Sequence, residues 1–171
     1  MRTFLGWGWA FMIKLRFWLS VLMVLVSVAL AAAQRSPEGY LVGAAGGWTT
    51  GRSGGGLLGA AAGAEFPVAS RLDVGGEGGV LGGADGGLLI LSLSVRGDLV
   101  NRTDHRVTPF VVGGVSGLLS FGGPERALHF GGGIDYRPAD RRPLRFEFRD
   151  IITRAGRQSH FWSFRVGMTF R

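Results

Sequence analysis

Cysteine is absent from this 171-residue sequence, and the only lysine is Lys14. Without cysteine, no disulfide can stabilise the fold, and no lipid anchor can be attached to a cysteine at a signal site. Proline is scarce, with six residues, two of which lie in the short polar stretch at 137–143. Long helical periodicity is missing after residue 33. The fold expected for that part of the chain is therefore all-β.

Positive charge is nowhere concentrated. A leader at 1–33 would contain Arg2, Lys14 and Arg16. Its removal lowers the number of basic residues from 19 to 16 and the net charge from +7 to +4. The longest basic run is Arg141–Arg142, whereas nucleic-acid binding needs clustered cations, so we expect no nucleic-acid partner. The sequence has no HExxH, CxxC or P-loop motif, and the glycines at 131–133 lie within a strand pattern. No metal and no cofactor is expected.

Residues 1–33 have the three parts of a secretory signal peptide, which we expect to be helical. Lys14 and Arg16 form the basic region, residues 17–30 form the apolar run, and Ala31–Ala33 supply the small residues of a cleavage site. An uncleaved membrane anchor is the alternative, because the apolar run is near the lower limit for spanning. The alanines that end the run, in place of a basic stop, favour cleavage.

Cleavage after Ala33 leaves Gln34 as the mature N-terminus. The domain at 34–171 then has 138 residues (171 minus 33), enough for one domain. The stretch before Met12 is unusually long for a signal peptide, and we interpret Met12 as the true start.

The last segment of the chain alternates strictly between apolar and polar residues. Trp162, Phe164 and Phe170 fall on one parity, and Ser163 and Arg165 fall on the other. Successive side chains of a strand point to opposite faces, so this segment has one apolar face and one polar face. The segments at 128–137 and 144–149 alternate in the same way.

Eight such segments divide the domain, beginning near residues 39, 58, 71, 89, 107, 128, 144 and 160. Eight strands of about ten residues leave room for turns, and an even number fits bacterial outer-membrane barrels. The third segment is weak because of its glycines. The fifth is apolar on both parities, which leaves its register undetermined.

Two environments suit strands with one apolar and one polar face. A soluble sheet turns its apolar face to a core, whereas a transmembrane barrel turns it to lipid. Tyr40 and Trp48 are eight residues apart on one parity, as are Trp162 and Phe170. Eight residues of a tilted strand rise roughly 20 Å, which is close to the separation of the aromatic girdles of a membrane barrel. The 31 glycines also suit a narrow closed barrel. We predict an eight-stranded antiparallel up-and-down transmembrane β-barrel.

The two parities assign residues to the two sides of this barrel. The residues predicted to face lipid or form its girdles are Tyr40, Trp48, Leu89, Leu91, Leu93, Phe130, Tyr136, Phe146, Phe148, Trp162, Phe164 and Phe170. An eight-stranded barrel has room inside only for side chains, so charges on the other parity must pair there. The predicted interior salt-bridge residues are Glu65, Asp73, Glu77, Arg96, Asp98, Asp135, Arg137, Arg145, Glu147, Arg149 and Arg165.

Three blocks, Thr108–Val115, Phe130–Arg137 and Leu144–Asp150, together with the aromatic C-terminal strand, resemble the small outer-membrane β-barrel family of Gram-negative bacteria, the OmpA/OmpX-like barrels. The resemblance implies a location in the outer membrane, with its lipid and the barrel-assembly machinery as partners, and the signal peptide adds the secretion machinery. It makes Phe170 the key aromatic of the assembly signal. Arg171 follows it, which departs from the aromatic C-terminus of the family.

Catalysis is not expected. Some barrels of this size hydrolyse lipid A with a His/Ser pair on the lipid face, and such a pair must be two residues apart within a strand. His160 and Ser163 are three apart and so point to opposite faces. His105 and His129 have no serine at the required spacing.

The function predicted from the sequence is that of a non-enzymatic integral outer-membrane protein with a structural or surface-interaction role. The glycine-rich turns at 51–55 and 82–87 are too short for long adhesive loops. A narrow pore or a barrel that binds a small or lipidic ligand is the alternative, followed by a soluble secreted β-barrel. No surface or periplasmic partner is identified by the sequence.

Overall fold

The computed structural model describes residues 36–84, 86–102, 105–120, 123–139, 142–153 and 158–170. The predicted signal peptide and its cleavage site at Ala33 lie outside the described residues, as does Arg171. No helix in the described part of the chain is long and apolar enough to span a membrane.

Eight antiparallel strands form a closed barrel in which each strand pairs with the next and β8 pairs with β1. This confirms the predicted fold class. The strands are β1 (Glu38–Thr50), β2 (Ser53–Ala69), β3 (Leu72–Gly83), β4 (Gly86–Asp98), β5 (Val107–Ser120), β6 (Gly123–Tyr136), β7 (Leu144–Thr153) and β8 (Ser159–Phe170).

The barrel has a terminal end, where β1 begins and β8 ends, and an opposite, distal end. The connections at the terminal end are residues 70–71, 99–106 and 137–143, and those at the distal end are 51–52, 84–85, 121–122 and 154–158. Several strands are longer at the distal end than the pattern predicts, since β2 begins at Ser53 and β6 at Gly123. Glycines there carry no polarity signal, yet their main chains still pair, as Gly55 does with Trp48.

Side chains alternate between the two surfaces of the wall. In β4, Leu91 and Leu93 are 53% and 66% exposed, while Ser92 and Arg96 between and beyond them are buried. The same alternation holds in β8, where Phe164 is 62% exposed and Arg165 is buried. The outward surface is therefore apolar and the interior is largely polar.

The interior has two halves of different chemistry. Charged side chains fill the half toward the terminal end. An apolar cluster fills the half toward the distal end, formed by Leu57, Leu81, Ile90, Leu118, Ala127 and Ile151, with Trp48 and Phe161 packed against it. The alternation predicted only the charged half of the interior. Apolar residues that point inward interrupt the alternation, so the pattern gave no indication of the apolar half.

Candidate functional site

The predicted interior charges lie on the inner face of the barrel, except for Arg137. That residue follows β6 at the terminal end, and its side chain remains 22% exposed, with Nη2 4.0 Å from Glu38 Oε2. The other ten are spread over β2, β3, β4, β6, β7 and β8. Closure of the barrel brings them together across its interior.

Near the terminal end, Arg96 and Arg145 form ion pairs across the barrel interior. Arg145 places Nη1 and Nη2 each 2.8 Å from an oxygen of Glu65, and its Nε donates to Asp135 at 3.0 Å. Arg96 donates to Asp135 at 2.6 Å, to Asp98 at 3.0 Å and to Glu65 at 3.2 Å. Each guanidinium thus contacts at least two carboxylates. Such multiple pairing offsets the cost of removing these charges from water.

A second group of four charges lies nearer the middle of the barrel. Glu77 accepts hydrogen bonds from Arg149 at 2.9 Å and from Arg165 at 2.6 Å. The same two arginines contact Glu147, so the four side chains form a closed ring of ion pairs. Two carboxylates and two guanidiniums balance in charge, which a low-dielectric interior requires.

The terminal mouth is closed by a residue that the sequence pattern did not single out. Arg102, in the connection between β4 and β5, contacts Glu38, Asp73 and Asp98. Burial alone would lower the pKa of Arg102, but the hydrogen bond to Asp98 and the charges of the three carboxylates raise it above its ordinary value. Its guanidinium therefore stays charged and joins three strands.

The prediction that Tyr40 faces lipid is wrong. Tyr40 is 2% exposed, and its hydroxyl donates to Glu77 at 2.8 Å. The Arg145 guanidinium lies 4.6 Å from the centre of its ring, a cation–π contact. The ring occupies the space beside Gly63, where a Cβ would come within 2.5 Å of it.

Trp48 shares the parity of Tyr40 and is also wrongly assigned, because it packs against the apolar cluster inside the distal end. The cause is that β1 carries small or apolar residues on both parities. The missed signal is Glu38, which stands on the same parity and is buried among the interior charges.

The other residues predicted to face lipid point outward, with exposures between 38% and 66%. They are Leu89, Leu91, Leu93, Phe130, Tyr136, Phe146, Phe148, Trp162, Phe164 and Phe170. Their strands carry charged or hydroxyl residues on the opposite parity, which distinguishes the two faces.

The structure decides the register of β5, which the pattern left open. Phe110 points inward, where the Arg96 guanidinium lies 3.8 Å from the centre of its ring. Its register partner Gly133 has no side chain, and a Cβ there would lie 2.1 Å from the Phe146 carbonyl oxygen and 2.9 Å from the Phe110 ring. An arginine and a glycine on neighbouring strands thus determine which way this phenylalanine points.

A polar layer separates the charges from the apolar cluster. Ser116 lies 2.8 Å from Ser92 and 2.8 Å from His129 Nδ1, and all three residues are buried. At the same boundary lies a cavity of about 20 Å³ beside Glu77, Arg149 and Ile90. A cavity of this volume holds about one water molecule. At this level of the barrel, the described side chains therefore leave room for little more than one water molecule.

A catalytic His/Ser pair would need both side chains on one face of the wall. His160 lies on the outer face, 2.9 Å from Asp150 and 3.0 Å from Gln158, whereas Ser163 is buried on the inner face. The two residues of the suspected pair are thus on opposite sides of the wall. Within the described ranges, no cluster of three His, Asp or Glu side chains is suited to a metal ion.

The sequence matches no protein-family model, and no curated protein matches it. Solved structures match the fold. Neisserial surface protein A aligns over 78% of this chain and 97% of its own, with 12% identity and a TM-score of 0.60. The N-terminal β-barrel domain of Pseudomonas aeruginosa OprF aligns over 78% and 97%, with 11% identity and a TM-score of 0.52.

A third match is Ail, the attachment invasion locus protein of Yersinia pestis, solved in complex with the heparin analogue sucrose octasulfate. It aligns over 78% of this chain and 98% of its own, with 12% identity and a TM-score of 0.50. This chain therefore shares the fold of small eight-stranded outer-membrane barrels.

Proposed function

We propose that this chain is an exported integral protein of the outer membrane with a structural or surface-interaction role, without catalysis and without an open pore. The observation that carries this proposal is the filled interior. Three groups of ion pairs, a polar layer and an apolar cluster follow one another from the terminal to the distal end. A solute would have to displace buried paired charges to pass.

The outward surface supports placement in a membrane. Apolar side chains as large as Phe164, Leu93 and Leu58 are more than 60% exposed on it. Soluble monomers rarely expose continuous apolar surface on this scale, and a bilayer would cover it. Export through the signal peptide, cleavage after Ala33 and insertion by the barrel-assembly machinery belong to the same proposal.

Envelope fractionation and planar-bilayer recording test this function together. We expect the protein in the outer-membrane fraction after a urea wash, beginning at Gln34, with slower migration on gels after boiling than before. In bilayers we expect no steady conductance. Stable channels would favour the narrow-pore alternative, and recovery in soluble periplasm would favour a secreted barrel.

A lipidic ligand is the one alternative that a specific observation favours. The outward surface of β3–β7 carries an open groove of about 1080 Å³, slightly larger than the usual ligand site of about 300–1,000 Å³.

A further inference from the structure

The groove lies on the outer side of the wall. Its walls are formed by Leu91 and Leu93 of β4 on one side and by Leu128 and Phe130 of β6 on the other, all of which are at least half exposed. Its floor includes Gly117 of β5, where the absence of a side chain lowers the surface between the walls. Such a shape fits a flexible apolar chain.

One end of the groove is polar. Arg126 of β6 and Gln158, just before β8, line it toward the distal end, while Leu93 and Phe130 lie nearer the middle of the barrel. From Arg126 to Phe130 the strand advances about 13 Å. The groove therefore has a polar end followed by an apolar length, like an amphiphile.

Arg126 is unusual among the outward-facing residues. On the outer faces of the described strands, the charged or imidazole side chains are Arg126, Asp150 and His160. Asp150 and His160 contact each other at 2.9 Å, and Gln158 joins the groove to this pair. Arg126 is exposed and makes no ion pair with any described residue; Glu125 beside it in sequence lies on the other parity.

From this arrangement we infer that the groove binds one phosphate-bearing lipid, with an acyl chain between the β4 and β6 walls and the phosphate at Arg126. In the apolar part of the groove, the acyl chain would pack against leucine and phenylalanine side chains in place of neighbouring lipid chains. The guanidinium fork matches two phosphate oxygens, and such charge-assisted hydrogen bonds are the strong ones. Asp150 is the register partner of Phe130, four residues or about 13 Å along the strand from Arg126, and this separation limits its repulsion of a phosphate at Arg126.

Lipid binding is best measured on the full-length protein in neutral maltoside detergent by native mass spectrometry. The probe is dioleoylphosphatidic acid, compared with dioleoylglycerol, which has the same chains without phosphate, and with inorganic phosphate. We expect one phosphatidic acid bound per barrel, binding at least about tenfold weaker for dioleoylglycerol, and no saturable binding of inorganic phosphate.

Two variants and two matched controls locate the site. Arg126→Gln and Gly117→Leu should each weaken phosphatidic acid binding about tenfold or more, because one removes the cation and the other fills the floor. A Cβ at Gly117 approaches only the Leu91 carbonyl oxygen, at 4.0 Å, so the fold tolerates it. Arg52→Gln, at an exposed distal turn, and Gly43→Leu, at an outward site on β1 with a similar 3.9 Å contact, should bind like wild type.

Each contrary result overturns the inference. Equal loss in Arg52→Gln would show general attraction to the distal end, and equal binding of dioleoylglycerol would show an apolar groove without phosphate recognition. Saturable binding of inorganic phosphate would show a soluble-anion site. Retained binding in both site variants, with folding checked by heat-modifiable migration, would place the lipid elsewhere. The lipid site rests on the part of the proposed function that turns the outer wall to lipid. Conductance in bilayers would refute the sealed interior, but it would not affect this binding test.

Discussion

Glu65 of β2 and Arg145 of β7 are 80 residues apart in sequence, yet both oxygens of the Glu65 carboxylate accept hydrogen bonds from the two terminal nitrogens of Arg145, at 2.8 Å each. The two strands are not neighbours in the sheet. The pair therefore crosses the interior and forms only when the barrel closes.

Loss of one partner of this pair should be costly. Arg145→Met leaves Glu65 with Arg96 alone and should lower the free energy of unfolding by about 3–5 kcal/mol, as expected when a buried pair is broken. The measurement is urea unfolding in lipid vesicles, followed by heat-modifiable migration. The double variant Glu65→Gln/Arg145→Met should cost less than the sum of the single changes, and strict additivity would show that the two residues are not coupled.

The corrected orientation of Tyr40 leads to a comparison of the only two tyrosines in the chain. Tyr40→Phe removes the hydroxyl that donates to Glu77 and should cost about 1.5–3 kcal/mol, because the bond is made to a charged group. Tyr136→Phe, on the outward surface, should change stability by less than about 0.5 kcal/mol. If Tyr40→Phe and Tyr136→Phe had equally small effects on stability in the same urea titration, the Tyr40 side chain would have to lie on the outer face.

Neighbouring residues in β8 test which face meets lipid. Phe164→Arg places a charge on the outward surface and should cost roughly 2–4 kcal/mol if the position is near the bilayer midplane. Arg165→Phe leaves Glu77 and Glu147 to share Arg149 and should prevent efficient folding. Vesicle refolding yields and urea midpoints measure both. If Arg165→Phe prevented folding while Phe164→Arg left the urea midpoint unchanged, Phe164 would lie outside the apolar band.

Arg102 should show a pH-dependent contribution. Its folded pKa is raised above the ordinary arginine value, so its charge is fully present throughout the working range and would be lost only at extreme alkaline pH. Arg102→Gln should therefore cost about 1–3 kcal/mol near neutral pH, because three carboxylates lose their shared cation.

The difference between wild type and Arg102→Gln should shrink in acid, as the carboxylates that face Arg102 gain protons. Unfolding curves at several pH values measure this difference. Arg106→Gln, an exposed change in the same connection, serves as the control. A difference that stays constant over the whole acidic range in which the barrel remains folded would mean that Arg102 acts through packing and not through its charge.

Alternation in the sequence was enough to predict the eight strands, their antiparallel order and the outward faces of β4, β6, β7 and β8. Those strands combine leucine or phenylalanine on one parity with serine or charge on the other, as Leu93 and Arg96 illustrate. This information is local, because a strand places successive side chains on opposite faces wherever it lies. Alternation alone left a soluble sheet open; the aromatic spacing and the glycine content favoured a closed barrel, and the length limited it to eight strands.

The partners inside the barrel depend on the tertiary structure. The pattern gives no indication that Arg102 reaches from a turn to Glu38, that Tyr40 points inward to Glu77, or that the distal half of the interior is apolar. Such contacts join strands far apart in sequence, and they are set by the stagger of the strands when the barrel closes. Local alternation determined which residues belong to each face of a strand, whereas barrel closure decided which face of β1 and β5 is inside and which charges meet there.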